Sequence, residues 1–117
     1  MVSKISFGKA GEIYASRYLI KKGYRIIEKN YRCRFGEIDI IAEKNNVIHF
    51  IEVKTRRSLH YGAPEESIDP KKINKLKFVS EFFLTEKKLA DSEVSIDAVT
   101  LFIKDGKVTL NHLLNIL

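Results

Sequence analysis

Asp39, Glu52 and Lys54 stand inside the two most apolar stretches of the chain, Gly36-Glu37-Ile38-Asp39-Ile40-Ile41 and Phe50-Ile51-Glu52-Val53-Lys54-Thr55. Buried stretches avoid charge, and a covered carboxylate needs a partner or a task. Both segments are short, β-branched and bounded by turn-prone residues, which predicts strands. Side chains alternate across a strand, so Glu52 and Lys54 share one side while Ile51 and Val53 share the other. If the two strands pair through a turn near Asn45-Asn46, Asp39 joins that charged side. Two carboxylates and an ammonium then meet at one end of a small sheet. Adjacent carboxylates raise each other's pKa unless a cation relieves them. Lys54 offers one positive charge, and a divalent ion suited to hard oxygen ligands, Mg²⁺ or Mn²⁺, would supply the rest. The competing explanation is an ordinary cross-strand ion pair, since Glu-x-Lys is common on the wet face of an antiparallel sheet. The dense apolar flanks of Asp39 and Glu52 favour strands covered on both faces.

The elements that must hold these residues follow from the rest of the chain. At 117 residues, with 44% hydrophobic and 31% charged residues, the expectation is one soluble domain, residues 1–117, with a core that needs no staples. The single cysteine, Cys33, rules out an intrachain disulfide and points to a reducing compartment. No apolar run reaches the ~20 residues of a membrane span, and the first residues lack a secretory apolar core. The expected location is cytoplasmic, with no membrane partner. The formal net charge of +6 suits a phosphate-rich partner, although a Lys excess also serves solubility.

Residues 7–22 read as a helix with Ile13, Tyr14, Tyr18 and Leu19 as apolar positions and Gly23 as its stop. Glu12 lies on the stripe of Ala15 and Leu19, partly inward. It is either a first-turn acid favoured by the helix dipole or a ligand. Gly11 costs a helix about 0.8–1 kcal/mol against alanine, which implies a close backbone approach there. A strand is expected over 24–29, then a basic, aromatic connection, Asn30 to Phe35. Arginine beside aromatics in that connection either grips phosphates and stacks on bases or forms a solvated turn. Strands 37–43 and 47–55 form a hairpin. Residues 56–68 lack a period and read as a loop leaving the charged cluster, suited to substrate contact; His60 within it reads as a surface residue. Asp69-Pro70 is a strong helix start, and Ile73, Leu76, Val79, Phe82 and Phe83 make a stripe to about residue 88. Lys71, Lys72, Lys75 and Lys77 load its first turns with charge that the helix dipole disfavours. They form a solvated basic face or a seat for phosphate. A strand over 94–103 surrounds Asp97, a turn at 104–107 returns through 108–110, and 111–117 is read as a short closing helix. The order αβββαββ predicts a mixed sheet with helices packed on it.

With Gly8-Lys9-Ala10-Gly11-Glu12-xx-Ala15, Gly36-Glu37-Ile38-Asp39 and Glu52-Val53-Lys54-Thr55-Arg56 in place, the chain resembles the YraN family over nearly its full length. The resemblance implies an α/β restriction-endonuclease-like fold of the PD-(D/E)xK superfamily, similar to archaeal Holliday-junction resolvases. That superfamily places an acid on the first helix, an aspartate at the end of the second strand and Glu-x-Lys on the third. Carried over, these are Glu12, Asp39, Glu52 and Lys54. Asp39 and Glu52 would bind Mg²⁺ or Mn²⁺, with the Val53 carbonyl as a third ligand. Glu12 would act through water or a second ion, and Lys54 would orient or help deprotonate the attacking water. Glu37 either assists from the same strand side or faces solvent. Resolvase-like relatives act as dimers, so a homodimer is the implied assembly.

The function expected from this reading is metal-dependent endonucleolytic hydrolysis of phosphodiester bonds, in DNA that is branched or otherwise structured. Arg32, Arg34, Arg56, Arg57, Lys71, Lys72 and Lys75 are the candidates to hold the backbone, positioning it without reading sequence. One alternative is a nucleic-acid-binding protein with a silent nuclease-like site. Another is a structural protein whose acids only tie the sheet together.

Overall fold

Two Asn residues set the central hairpin. Asn45 and Asn46 both adopt positive φ, 51° and 66°, the backbone that lets a two-residue turn follow the right-handed strand twist. The turn joins β2 (Gly36–Lys44) to β3 (Val47–Arg56). In the computed structural model, which describes residues 6–57 and 69–117, β2 also pairs antiparallel with β1 (Arg25–Cys33). After β3 the chain passes to helix α2 (Pro70–Glu86) and returns in β4 (Glu93–Lys104), which runs parallel to β3. A second turn with positive φ, at Asp105-Gly106, leads into β5 (Lys107–Leu113), antiparallel to β4. The sheet order is β1-β2-β3-β4-β5. With α1 (Phe7–Lys21) ahead of β1, the order αβββαββ is a mixed α/β sheet flanked by two helices, the restriction-endonuclease-like arrangement.

The helices cover opposite faces. Leu76, Val79 and Phe83 of α2 pack with Ile41, Ile48, Phe50 and Ile96. Ala15 and Leu19 of α1 pack with Ile40, Ala42, Ile51, Val99 and Leu101. β3 alternates cleanly between these two cores, which is why its central residues are apolar on both sides. Asp69 caps α2 by accepting the Lys72 N–H at 2.9 Å, with Pro70 at the first helical position.

Three expectations need correction. The connection read over Asn30–Phe35 is mostly strand: β1 continues to Cys33, which pairs with Gly36, leaving a turn of Arg34-Phe35. The closing helix over 111–117 does not form. Asn111, His112 and Leu113 extend β5 against Thr100, Val99 and Ala98, and ladder bonding outweighs the local apolar spacing. Tyr14 is exposed, because the buried stripe of α1 runs Gly11, Ala15, Ser16 and Leu19. The expectation of a loop leaving the charged cluster, His60 included, falls mostly on residues 58–68, which lie outside the described residues.

A buried polar knot holds the C-terminal edge. Asp97 is fully buried and accepts from His49 Nδ1 at 2.7 Å, His112 Nε2 at 2.8 Å, the Asn115 N–H at 3.1 Å and the Ser95 hydroxyl. Burial pushes its carboxyl up, but these donors outweigh burial and hold it well below the usual carboxylate range. The knot ties β3, β4, β5 and the final residues together.

Gly11 is where α1 touches the sheet. A Cβ there would stand 2.0 Å from Thr55 Oγ1 and 3.2 Å from Thr55 Cβ. Thr55 is β-branched and stiff, so it cannot swing clear cheaply. Gly11→Ala is expected to destabilise the protein by about 1–3 kcal/mol through overpacking. Thr55→Ala in the same chain should recover most of that loss. Urea denaturation midpoints of the single and double variants measure it.

Candidate functional site

The ladder between β2 and β3 ends at the pair Ile40–Ile51. The next residue on each strand is a carboxylate, Asp39 and Glu52. Regular alternation would put Ile38 and Ile40 on one face. Instead Ile38 packs in the α2 core and Ile40 in the α1 core, so the pleat breaks at Asp39. In place of a further ladder bond, Asp39 Oδ2 accepts the Val53 N–H at 2.8 Å. The carboxylate thus fills the fork where the two strands part. Glu52 alternates with Ile51 and Val53, faces the α2 side and is 6% exposed.

Two ammonium groups flank Glu52. Its Oε1 meets Lys72 Nζ at 2.5 Å and Lys54 Nζ at 3.8 Å. Lys72 reaches in from the first turn of α2, and Lys54 from β3 itself. Asp39, Glu52, Glu37, Gly36, Lys72 and Lys75 line a cleft of about 310 Å³ on this side of the sheet. Gly36 opens it with φ 142°, a conformation closed to ordinary side chains.

The charges perturb one another. Burial, followed by the adjacent Glu52 carboxylate, pushes the Asp39 carboxyl up to about 7. The Val53 N–H works against this, and Glu12 adds to it. Lys54 is lowered, first by its contact with Lys72 and then by burial. Lys72 is raised: burial opposes its charge, but its bond to Glu52 prevails. The cleft therefore holds a loosely protonated carboxyl at Asp39, a firm cation at Lys72 and, at Lys54, a cation that gives up its proton more easily than usual.

Asp39, Glu52 and Lys54 come together as the pleat predicted. Glu12 sits on α1, and its charge reaches Asp39. Its Oε1 is buried without a hydrogen-bond partner, and Lys9 Nζ lies at 3.7 Å. Among the described residues no group of three or more His, Cys, Asp or Glu side chains is gathered to hold a metal ion. Glu37, Asp39 and Glu52 line the cleft, and Glu12 acts on the Asp39 carboxyl through its charge. The donor chemistry of Asp39 and Glu52 still suits a hard cation. The two carboxylates repel each other, and the orphaned Glu12 oxygen marks further negative potential nearby.

The basic candidates separate. Lys72 is engaged with Glu52, which the sequence did not signal; its position in the first turn after the Asp69 cap was the available clue. Arg32 pairs with Glu37 at 3.1 Å. Arg34 lies over the Phe35 ring at 4.9 Å and Arg57 over the Phe7 ring at 4.1 Å. Arg56 bonds the Thr55 carbonyl at 3.4 Å and keeps a buried Nε without a partner. Lys71 and Lys75 are exposed beside the cleft.

The five-stranded mixed sheet flanked by two helices defines a restriction-endonuclease-like protein, with two carboxylates and a strand lysine at the fork of β2 and β3. The chain belongs to the family described as Uncharacterised protein family UPF0102, the YraN family, whose model matches residues 11–101. A UPF0102 protein of Syntrophomonas wolfei is 44% identical over 108 residues, covering 92% of this chain and 94% of the relative. One from Caldanaerobacter subterraneus is 39% identical over 117 residues, covering 97% and 96%. Another, from Persephonella marina, is 47% identical over 94 residues, covering 80% and 81%. No helix among the described residues is long and apolar enough to cross a membrane.

The raised Asp39 carboxyl has a consequence for stability. Its ordinary pKa is 3.8, so between about 4 and 7 the folded protein holds a proton that the unfolded chain has released. Stability must fall as pH rises through that window. Asp39→Asn keeps an oxygen for the Val53 N–H and removes the repulsion. It should stabilise the protein at pH 8, on the order of 1–3 kcal/mol after solvent screening, and have little effect at pH 4. Thermal melts at the two pH values check this.

Proposed function

We propose that this protein is a metal-dependent endonuclease that hydrolyses phosphodiester bonds in DNA. The observation that carries the reading is the Asp39–Glu52 pair at a forked strand end, in a cleft flanked by lysines. Two repelling carboxylates in a partly buried cleft are costly to hold unless a cation or a reaction uses them. The cleft volume suits a small charged group such as a backbone phosphate.

Asp39 and Glu52 would hold Mg²⁺ or Mn²⁺, and the Val53 carbonyl and Glu12 are the further candidates for its surroundings. The ion would supply Lewis-acid polarisation of the phosphate and charge neutralisation. The chain's own groups do the rest. Lys54, with its lowered proton affinity, orients the attacking water and, in the fraction that has first released its own proton to solvent, accepts the proton of that water. Lys72, with its firm charge, leaves Glu52 for a phosphate oxygen and steadies the negative charge that grows in the transition state. Lys71, Lys75, Arg34, Arg56 and Arg57 hold flanking phosphates, and Arg32 joins them if its pair with Glu37 opens. Branched or otherwise structured DNA and a homodimer belong to the same reading through the likeness to resolvases.

A second reading has one observation in its favour: Lys72 already closes on Glu52. A protein that binds nucleic acid with that ion pair permanently shut would have a silent site.

The experiment is cleavage of labelled DNA with Mn²⁺ or Mg²⁺. Asp39→Asn and Lys54→Ala should each lower the rate by about 10²–10⁴-fold without weakening DNA binding. Binding itself should weaken steeply with added salt. Salt-sensitive binding with no cleavage under either metal would establish the silent-site reading instead.

A further inference from the structure

Beside the cleft, α2 carries a stripe that the hydrolytic reading leaves unused. Lys71, Lys75, Phe78 and Phe82 are spaced four, three and four residues apart, so they share one side of the helix. The two ammonium groups lie at the cleft end, where Lys75 lines the wall. Phe78 follows Lys75 within about one helical turn, roughly 5 Å along the axis, and Phe82 within about two. Phe35, from the turn between β1 and β2, leans on them, with centroids 6.2 Å from Phe78 and 6.0 Å from Phe82. Phe35 is 41% exposed and Phe78 54% exposed. Arg34 lies over Phe35, and Gly36, the next residue, lines the cleft. A cationic track thus leaves the carboxylates and ends on an open aromatic surface.

We infer that Phe35 and Phe78 form a platform on which an unpaired base stacks, so the substrate carries unpaired nucleotides beside the phosphodiester that enters the cleft. This rests on the reading of the cleft as a nucleic-acid site and narrows it to single strands, flaps and forks. Aromatic faces in water attract bases of any sequence because every base has a π face. In a duplex those faces are covered by neighbouring pairs, so an intact helix has nothing to offer the platform. Charge selects the occupant. Arg34 lies over Phe35, Lys71 and Lys75 lead to Phe78 along the same side of α2, and the stripe contains no carboxylate, which suits a polyanion. A second copy of this chain would bring the same cations against it.

The test is binding in the presence of a chelator, so that no cleavage intervenes. The probes are a labelled single-stranded oligodeoxynucleotide without self-complementarity and a blunt duplex of equal length. Phe35→Ala with Phe78→Ala should weaken single-strand binding by about five- to 150-fold and leave duplex binding unchanged. Tyrosine at both positions should restore it. Lys71→Ala with Lys75→Ala should weaken both probes alike. Because both rings are exposed, thermal melts of the aromatic variants should match the parent. Unchanged single-strand affinity, or equal loss on both probes, overturns the platform. So does sedimentation showing a dimer that the alanine variant turns into a monomer, since the rings would then be a subunit contact. A strand-selective protein that cleaves nothing with Mn²⁺ supports the platform and overturns the hydrolytic reading alone.

Discussion

The hydrogen bond from the Val53 N–H to Asp39 is the constraint on which the site depends. It replaces a strand-to-strand bond with a strand-to-side-chain bond at the place where β2 and β3 part. A buried N–H must find an acceptor, and Asp39 supplies one while lining the cleft. That single substitution turns the end of a regular hairpin into a fork with a carboxylate between its tines. Glu52, on the opposite strand, then has no choice but to face it.

The cost of this arrangement is met from α2. Without Lys72, Glu52 would be a nearly buried carboxylate with only Lys54 in loose range, and Asp39 would press on it unopposed. Cap chemistry at Asp69-Pro70 fixes where α2 begins, and therefore where Lys72 projects. On the opposite face, the close approach of α1 at Gly11 brings Glu12 near enough for its charge to act on Asp39. The sheet is a partition, with Glu52 and its lysines on the α2 side, Glu12 on the α1 side and Asp39 in the gap. Sites of this kind trade stability for reactivity, since the groups that repel one another in the resting protein are the ones chemistry would use.

Much of this was legible in the residues themselves. Period-two alternation in Phe50 to Thr55 placed Glu52 and Lys54 on one side, and the Asn45-Asn46 turn brought Asp39 to meet them. The caps of α2 and the αβββαββ order were equally plain. The sequence was silent where contacts join distant segments. Lys72 looked like one of several surface lysines, because its partner lies in another element. The break in the pleat at Asp39 leaves no compositional mark, so Ile38 and Ile40 read alike although they serve different cores. Asp97 was visible as a charge among apolar neighbours. His49 and His112 drew no attention, because only the sheet register brings them to it. The 111–117 segment misled because its leucines suit a helix, while the ladder with β4 decides otherwise.

The parallel pairing of β3 with β4 also dictates an order of assembly. The three-stranded meander β1-β2-β3 is joined by two-residue turns and can form from local contacts. The strand beside β3 arrives only after the whole crossover through α2 has been laid down, and such non-local closure is slow. Asp39 and Glu52 are therefore brought face to face early, on a growing sheet with one raw edge, before Lys72 is delivered to them. Docking of α2 then delivers Lys72 to Glu52 in the same step that seals the α2 core.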